Sequence, residues 1–247
     1  FWKESGYFET VSELKPLLHT WSLAIEEQYY IMFPIFLMIV WRLGIKWILI
    51  LLTLIFILSL GISEWSVLKH PNAAFYLLPT RGWELLVGVF AAFYLKYNDY
   101  LKSNSLNQLL SLIGCGMIIY SIVAFDNKTP FPGLNALVPT IGTGLLILSA
   151  VPNTLVHKLF SLKPIVGIGL ISYSAYLWHQ PLLAFARHRL LGEVSALILV
   201  TLCVASMVMA WFSWRFVEKP FRDKAKINQK NIFIFSLLFI TIFTAIG

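Results

Sequence analysis

Long apolar segments recur along almost the whole of this sequence and limit what it can fold into. A helix needs about 17–25 predominantly apolar residues to cross a ~30 Å hydrocarbon core. Spanning strands would leave backbone groups unpaired outside a closed barrel, so segments of this kind are expected to be helices. We therefore predict an all-α, polytopic membrane helical bundle of about eight transmembrane helices. The predicted spans are about 22–41, 47–63, 80–97, 106–124, 134–151, 165–186, 194–214 and 231–247.

The amino-acid composition supports a membrane protein. Charged residues make up 13% of the 247 residues, against about 25% in typical soluble domains. The net charge of +7 could suggest a nucleic-acid partner, but the distribution of the basic residues favours membrane topology instead. We expect the lipid bilayer to be a partner and nucleic acid not to be one. The two cysteines, Cys115 and Cys203, lie inside apolar runs and are interpreted as small packing residues.

The basic residues also orient the predicted helices. If residues 1–21 lie outside, the inner connections contain twelve basic and three acidic residues, and the outer side contains seven basic and nine acidic residues. Cytoplasmic connections of membrane proteins are usually enriched in Lys and Arg. We therefore predict that both ends of the chain face outside and that the basic segment 215–230 lies inside.

Two adjacent carboxylates and a histidine lie near the start of the first predicted span. A helix that begins near Pro16, a favoured first-turn residue, would place His19 and Glu26 on one face, because they are seven residues apart. Tyr30 would extend that stripe one turn deeper, whereas Glu27 would point about 100° away. Either carboxylate could orient a histidine as a general base. Alternatively, both carboxylates stabilise the helix N-terminus and pair with a neighbouring basic group.

An opposite-charge pair opens the third predicted span. Arg81 and Glu84 are three residues apart, so on a helix they can pair with each other at little cost. Structural pairing is the simpler interpretation. The alternative is a substrate-binding role, in which Arg81 holds an anionic or carbonyl oxygen with Glu84 beside it.

A polar stripe is predicted near one end of the sixth span. Tyr173, Tyr176 and Gln180 are spaced by three and four residues, and Trp178 and His179 lie among them. A histidine in a membrane helix is often only hydrogen-bonded to a neighbouring helix. The polar neighbours support a functional role for His179 equally well. Tyr173, Tyr176 and Trp178 are the candidate substrate-binding residues of this stripe.

A basic segment with aromatic residues follows the seventh predicted span. Most segments of this kind anchor a helix end at a negatively charged leaflet. The alternative is that Arg215, Lys219 and Arg222 contact the phosphates of a cytoplasmic donor.

Four short segments combine polar, aromatic and charged residues at the ends of predicted helices. They read HTWSLAIEEQYY at 19–30, TRGWELLVG at 80–88, SYSAYLWHQP at 172–181 and VEKPFR at 217–222. Together they resemble the signature of the membrane-bound acyltransferase-3 family, bacterial O-acetyltransferases related to lipopolysaccharide O-antigen modifiers. The segments occur in the family's order and extend across almost the whole chain.

The resemblance implies transfer of an acyl group, usually acetyl, from cytoplasmic acetyl-CoA to a hydroxyl of an extracytoplasmic glycan such as lipopolysaccharide O-antigen. Acetyl-CoA is then a donor substrate, and neither a bound cofactor nor a metal is expected. The resemblance also implies a multi-pass protein of the bacterial inner (cytoplasmic) membrane. The chemistry requires a base to activate the hydroxyl and donors to hold the thioester oxyanion.

The sequence also departs from the family pattern. The family's catalytic histidine, and an arginine pair assigned to donor binding, lie on helices that precede the first motif segment, and we expect those helices to be missing here. The residues expected to support a base located elsewhere are His19, Glu26, Glu27 and His179. We expect residues 1–229 to form the membrane domain, and residues 1–247 alone to be inactive. Residues 230–247 are expected to form an extra transmembrane helix that leads to an absent extracytoplasmic domain resembling SGNH hydrolases.

A membrane transporter or flippase of a glycan or lipid-linked substrate is the alternative from another class. Intramembrane acids, histidines and proline-kinked helices also mark permeation routes. We find no paired inverted halves in the sequence, which favours the enzyme. A catalytically inactive sensor or assembly partner is a weaker alternative.

Overall fold

The computed structural model describes residues 14–98, 103–126, 129–189, 195–222 and 229–246. These described residues form helices joined by turns, with no strand among them, which confirms the all-α prediction. The α-helices are α1 (Trp21–Val40), α2 (Ile45–Lys69), α3 (Pro71–Tyr76), α4 (Leu78–Tyr97), α5 (Asn104–Ala124), α6 (Leu137–Ser149), α7 (Leu155–Phe160), α8 (Lys163–Arg189), α9 (Ala196–Ser213), α10 (Lys219–Arg222) and α11 (Gln229–Ile246). Short 3-10 helices occur at Leu18–Thr20, Trp41–Leu43 and Leu134–Ala136, and Trp214–Glu218 is a π-helical segment.

Each of the eight predicted spans coincides with a helix, but the predicted number of membrane spans is confirmed only in part. Within the described residues, four helical segments are long and apolar enough to cross a membrane. They are Leu18–Leu43, Ile45–Lys69, Asn104–Ala124 and Ala196–Arg222. A shorter apolar segment extends over Leu134–Ser149. The chain is therefore an integral membrane protein with four candidate spans in its described part.

Charge and length separate several predicted spans from those four. Helix α4 contains Arg81, Glu84 and Lys96 among its 20 residues. Helix α6 has 13 residues, about 20 Å at ~1.5 Å per residue and shorter than the ~30 Å core. Helix α8 contains the polar residues around His179 and charged residues at both ends. Polar residues of the kind that build a site lower the apolar content on which span recognition depends.

The chain divides into two compact units, one up to Leu162 and one from Lys163. The first unit contains α1–α7 and the second contains α8–α11. In the first unit α2 packs against α4, and α5 packs against α6. In the second unit α8 packs against α9, and the π-helical segment continues directly from the end of α9.

The core of the first unit lies where α1, α2 and α4 meet. Val40, Ile48, Leu52 and Leu86 are buried there. Partly buried apolar side chains pack around them: Tyr29, Phe33, Phe36, Leu37, Leu51, Phe56, Val89, Phe90 and Phe93. The aromatic side chains fill the space between helices that carry few small residues at this level. This core holds α4 against α1 and α2 below the turn that carries Arg81.

Glycines allow α5 and α6 to approach closely. A Cβ on Gly114 would lie 2.7 Å from the carbonyl oxygen of Gly142, and a Cβ on Gly142 would lie 2.9 Å from the carbonyl oxygen of Gly114. Helices in membranes commonly gain van der Waals contact through small residues at such crossings. Helix α6 meets α4 in the same way, because a Cβ on Gly144 would lie 3.0 Å from Val87 Cγ1. These contacts fix α6 between two neighbours and so position the loop that precedes it.

Candidate functional site

Arg81 and Glu84 form a two-bond ion pair in the first turns of α4. Arg81 Nε donates to Glu84 Oε1 at 3.0 Å, and Nη2 donates to Oε2 at 2.8 Å. The two side chains are only 13% and 21% exposed. The pairing predicted from their spacing is therefore present. It uses two of the five guanidinium N–H groups and half of the carboxylate lone pairs, so both groups keep hydrogen-bonding capacity.

Three aromatic rings surround the Arg81 guanidinium. Its Cζ lies 4.9 Å from the ring centre of Trp21, 5.3 Å from that of Phe75 and 5.5 Å from that of Phe131. Attraction between a cation and an aromatic face contributes about 0.5–2 kcal/mol, more where water is excluded. The Trp21 and Phe75 rings also contact each other, with their centroids 4.4 Å apart. We call Trp21, Phe75 and Phe131 the aromatic enclosure of Arg81.

The aromatic enclosure combines separate parts of the first unit. Trp21 is the first residue of α1, Phe75 lies in α3, and Phe131 lies in the connection before α6. Trp21 belongs to the first of the four motif segments and Arg81 belongs to the second. The structure therefore brings these two motif segments into contact at the guanidinium.

A serine of α2 fixes the start of α4. Ser59 Oγ donates to the carbonyl oxygen of Pro79 at 2.6 Å and accepts from the backbone N–H of Trp83 at 3.2 Å. A carbonyl and an N–H four residues apart ordinarily bond to each other in an α-helix. The hydroxyl bridges both groups, and Trp83 itself is completely buried. The turn that carries Arg81 is thus anchored to α2.

A carboxylate of α2 holds the loop that carries Phe131. Glu64 Oε2 accepts from the backbone N–H of Leu134 at 2.7 Å, across 70 residues of sequence. Gly133 provides the room for this contact, because a Cβ at Gly133 would collide with Glu64 Oε2. The hydrogen bond fixes the loop, and with it the position of the Phe131 ring.

The structure corrects the predicted face at the start of the first membrane helix. The residues around His19 form a 3-10 helix, and α1 begins at Trp21 instead of near Pro16. His19 is 6% exposed, whereas Tyr30 is 60% exposed, so the two do not share one stripe. The seven-residue spacing predicts a common face only in an unbroken α-helix, and a 3-10 turn has a different periodicity.

The two adjacent carboxylates of α1 have different surroundings. Glu26 is half-buried and Glu27 is exposed. This difference agrees with side chains that leave the helix in directions about 100° apart. Glu26 therefore faces the protein more than Glu27 does.

In the second unit, the predicted polar stripe lies on α8. His179 Nδ1 lies 2.7 Å from the carbonyl oxygen of Tyr176 and 3.3 Å from that of Ala175. Carbonyl oxygens only accept, so Nδ1 carries a proton, and in the neutral ring Nε2 is the basic nitrogen. The ring centres of Tyr176 and His179 are 5.8 Å apart, and Tyr173 is 49% exposed. The stripe thus places the His179 ring beside that of Tyr176.

The third and fourth motif segments contact each other within the second unit. Ser174 Oγ donates to Glu218 Oε2 at 3.0 Å, and Trp178 Nε1 donates to Ser213 Oγ at 2.8 Å. Glu218 also pairs with Arg222 at 3.2 Å. Trp178, a predicted substrate-binding residue, therefore uses its N–H in a contact between α8 and α9.

The three basic residues predicted for donor binding differ in their contacts. Lys219 Nζ lies 5.3 Å from the ring centre of Trp214. Arg222 is held by Glu218 although its side chain is 70% exposed. Arg215 is exposed and lies in the π-helical segment. Segments of π-helix occur frequently at functional sites, which marks Arg215 as the first of the three to test.

Several residues of the candidate site are missed by reasoning from the sequence. Phe75, Phe131 and Ser59 contact α4 only through tertiary packing, Glu64 contacts the loop that carries Phe131 in the same way, and Trp21 has no individual role in the predictions. Glu64 offers a usable signal, because an acid close to an apolar helix is a functional or structural exception by default. The aromatic residues give no usable signal in the sequence, since phenylalanine is common throughout this chain.

The geometry at Arg81 suits an oxygen-rich ligand. Its remaining N–H groups can donate to a carbonyl or anionic oxygen, and the free lone pairs of Glu84 can accept from a hydroxyl. Among the described residues, no group of three or more His, Cys, Asp or Glu side chains is placed to hold a metal ion. The chemistry offered by these residues is hydrogen bonding in a site of low dielectric.

Comparisons with known proteins agree with the motif segments. The chain matches the family described as an acyltransferase domain over residues 2–215. It is 28% identical to the peptidoglycan O-acetyltransferase OatA of Listeria monocytogenes, over 93% of this chain and 40% of that protein. It is 29% identical to the O-acetyltransferase OatA of Staphylococcus aureus, over 85% of this chain and 37% of that protein. The chain thus spans about two fifths of the length of these curated relatives. No solved structure matches it. Because the family match covers most of the 247 residues, the chain belongs to this acyltransferase family.

Proposed function

We propose that this chain forms the membrane core of an O-acyltransferase that transfers an acetyl group to a hydroxyl of an extracytoplasmic glycan. Family membership supports acyl transfer, and both relatives are named as O-acetyltransferases. The same membership favours an enzyme over the transporter or flippase. The observation in the molecule that carries the proposal is the ion pair of Arg81 and Glu84 inside its aromatic enclosure.

The ion pair has the hydrogen-bonding capacity that acyl transfer needs. The reaction requires donors for the oxygen that becomes negative when the hydroxyl attacks the acyl carbon, and an acceptor that orients the hydroxyl. We assign the first role to Arg81 and the second to Glu84. The pair is neutral overall, so its burial costs less than that of an isolated charge. The surrounding rings exclude water and thereby strengthen the remaining hydrogen bonds.

The other predicted site residues keep supporting roles in this proposal. Within the second unit, His179, Tyr173 and Tyr176 keep the roles predicted for them from the sequence. His19 and Glu26 support the site from the start of α1. None of these residues is assigned as the primary base.

We propose a peptidoglycan-type glycan as the acceptor, in place of the lipopolysaccharide O-antigen that the motif resemblance first suggested. The Listeria relative is named for peptidoglycan, and neither relative is named for lipopolysaccharide. Both polymers offer sugar hydroxyls, so the attacking group is the same in either case. The two acceptors therefore differ in the sugars that the site must bind, and not in the group that attacks the acyl carbon.

We propose acetyl-CoA as the donor, approaching from the cytoplasmic side. The dense basic run at 215–230 supports this orientation. Arg215 is the residue of that run that we assign to the donor phosphates, with Lys219 and Arg222 as weaker candidates because each already has a partner.

The proposal places the protein as a multi-pass component of the bacterial cytoplasmic membrane. Residues 1–229 then form the membrane domain, and α11 adds a transmembrane helix on the way to an extracytoplasmic domain like the SGNH hydrolases. The charge distribution and the family resemblance support this part of the proposal.

Acetyl transfer in membrane vesicles tests the function. The complete gene is expressed in a bacterial host whose own wall O-acetyltransferases are deleted, and radiolabelled acetyl-CoA is supplied with purified peptidoglycan or lipopolysaccharide. We expect alkali-labile label in peptidoglycan.

Arg81→Ala should lower the amount of this label by about 10- to 100-fold, as loss of a charged hydrogen bond of ~1.5–3 kcal/mol predicts. Arg42→Ala, at an exposed position, is the matched control. Wild-type labelling by Arg81→Ala at equal expression would remove the ion pair from the site.

A further inference from the structure

A crevice between α4 and α6 opens beside the ion pair. Its volume is about 390 Å³, within the ~300–1,000 Å³ range of small-molecule sites. Glu84 and Phe131 line it, together with Gly88, Thr140 and Thr143. Three other cavities in the described part of the chain, of about 360, 410 and 560 Å³, have no charged side chain in their lining. The crevice is thus set apart from them by a carboxylate in its lining.

We propose that this crevice is the subsite for one pyranose ring of the acceptor glycan. The proposal rests on the function proposed above and assigns the place where the sugar binds. A sugar ring has hydroxyl groups that donate and accept hydrogen bonds, and it has an apolar face of C–H groups. The crevice offers a partner for each: carboxylate and hydroxyl oxygens for the hydroxyls, and the Phe131 ring for the apolar face.

The polar lining has unused capacity to accept hydrogen bonds. Glu84 bonds to Arg81 through one lone pair on each oxygen, which leaves a second on each. Thr140 Oγ1 donates to the carbonyl oxygen of Ala136 at 2.7 Å, and Thr143 Oγ1 donates to that of Pro139 at 2.9 Å. Since their protons are used there, these hydroxyls interact with a ligand as acceptors. All three groups therefore favour a ligand with several O–H donors, as a sugar has.

Phe131 connects the crevice to the reactive end of the proposed site. Its ring lines the crevice and also lies 5.5 Å from the Arg81 guanidinium. A sugar stacked on Phe131 would therefore lie beside both Arg81 and Glu84. One hydroxyl of that sugar would lie close enough for Glu84 to orient it toward an acyl carbon whose oxygen is held by Arg81.

Gly88 lines the crevice, and the packing of the helices leaves room for a larger residue at this position. A Cβ at Gly88 would meet no atom within 4 Å, so a side chain there enters open space. Gly116 on α5 is equally exposed, and a Cβ there also meets nothing within 4 Å, but it does not line this crevice. Gly88→Leu and Gly116→Leu are therefore matched substitutions that differ in whether they fill the crevice.

Steady-state kinetics of the whole protein in lipid nanodiscs test the subsite. The probe is a soluble β-1,4-linked oligosaccharide of N-acetylglucosamine, with acetyl-CoA as the donor. We expect Gly88→Leu to raise the KM for the oligosaccharide by at least about tenfold, the equivalent of ~1.4 kcal/mol of lost binding. The KM for acetyl-CoA should stay within about twofold of wild type for Gly88→Leu, and Gly116→Leu should leave both KM values within that range.

Thr143→Val keeps the shape of the side chain and removes its hydroxyl. We expect it to weaken oligosaccharide binding by about three- to tenfold, the usual effect of one hydrogen bond, measured by saturation-transfer NMR without donor. This variant decides the question if Gly88→Leu lowers the unfolding temperature more than Gly116→Leu does.

The subsite alone would be overturned if the wild-type protein acetylates the probe but Gly88→Leu and Thr143→Val leave the oligosaccharide KM and binding unchanged. A wild-type protein that binds the probe in NMR but transfers no acetyl group to any glycan would support the subsite and overturn the proposed reaction. A wild-type protein that neither binds nor acetylates the probe would overturn both.

Discussion

The Glu64 carboxylate occupies the space that a side chain on Gly133 would fill. Because Glu64 also accepts from the N–H of Leu134 at 2.7 Å, α2 holds the loop that presents Phe131 to Arg81. The position of an aromatic ring in the candidate site thus depends on a carboxylate from another helix. This relationship can be tested from both of its sides.

Gly133→Ala is expected to displace the loop. The added methyl group would collide with Glu64 Oε2, so the flexible carboxylate must turn away and lose its hydrogen bond to Leu134, at a cost of about 0.5–1.5 kcal/mol. Thermal unfolding of the detergent-solubilised protein measures the effect as a lowered midpoint. Gly61→Ala in α2 is the matched control, because a Cβ there meets no atom within 4 Å. An unchanged midpoint for Gly133→Ala would show that the contact does not constrain the loop.

Glu64→Gln and Glu64→Ala separate the hydrogen bond from the charge. The amide oxygen of glutamine can still accept from Leu134, so Glu64→Gln should acetylate glycan nearly as wild type does. Glu64→Ala removes the acceptor and should lower acetylation by about three- to tenfold, since one hydrogen bond is worth roughly 0.5–1.5 kcal/mol. The alanine also makes room beside Gly133, so Glu64→Ala combined with Gly133→Ala should be less destabilised than the sum of the two single variants. Strict additivity would contradict a direct contact.

Much of the fold can be predicted from local patterns in the sequence, but the composition of the site cannot. The apolar runs predict helices because each run satisfies its backbone hydrogen bonds within itself. The spacing of Arg81 and Glu84 predicts their ion pair for the same reason, since both residues lie on one helix. The aromatic enclosure depends on Phe75 and Phe131, whose approach to Arg81 requires the packing of three helices and a loop. No local periodicity encodes that approach.

The predicted stripe from His19 to Tyr30 is wrong for a different reason. That stripe requires one continuous α-helix from near Pro16, and the structure changes from 3-10 to α geometry at Trp21. Four candidate spans are found among the described residues, and polar residues interrupt the apolar runs of α4 and α8, which are not among the four.

A double-substitution cycle on Arg81 and Glu84 distinguishes structural pairing from a substrate role. Arg81→Met or Glu84→Gln alone leaves a mostly buried group without its charged partner, and breaking a buried pair costs about 3 kcal/mol. The double variant removes both charges and should recover much of that stability. Acetylation should stay low in the double variant if the pair binds substrate. Recovery of acetylation together with stability would establish that the pair is structural only.

Gly142→Ala is expected to separate α5 from α6. Its Cβ would approach the Gly114 carbonyl oxygen to 2.9 Å, and backbone atoms at a helix crossing cannot move independently. We expect a loss of about 1–3 kcal/mol in unfolding free energy, measured by denaturant titration in mixed micelles. Gly116→Ala in α5 is the control, because a Cβ there meets no atom within 4 Å; it should leave the unfolding free energy unchanged or raise it slightly. A neutral result for Gly142→Ala would show that the two helices adjust without cost.

Glu218 joins two motif segments, and two substitutions separate its bonds. Its ion pair with Arg222 involves a side chain that is 70% exposed, and pairs of this kind contribute only about 0–1 kcal/mol. Its bond to Ser174 lies in a buried setting, because Ser174 is 3% exposed.

Glu218→Gln keeps an acceptor for Ser174 and should change the unfolding free energy by less than about 1 kcal/mol. Glu218→Ala leaves the serine hydroxyl without this acceptor and should cost about 1–3 kcal/mol. Thermal unfolding of both variants at low and high salt measures the difference. A large, salt-sensitive loss in Glu218→Gln would assign the stability to the ion pair with Arg222 instead, and would give Arg222 a structural role.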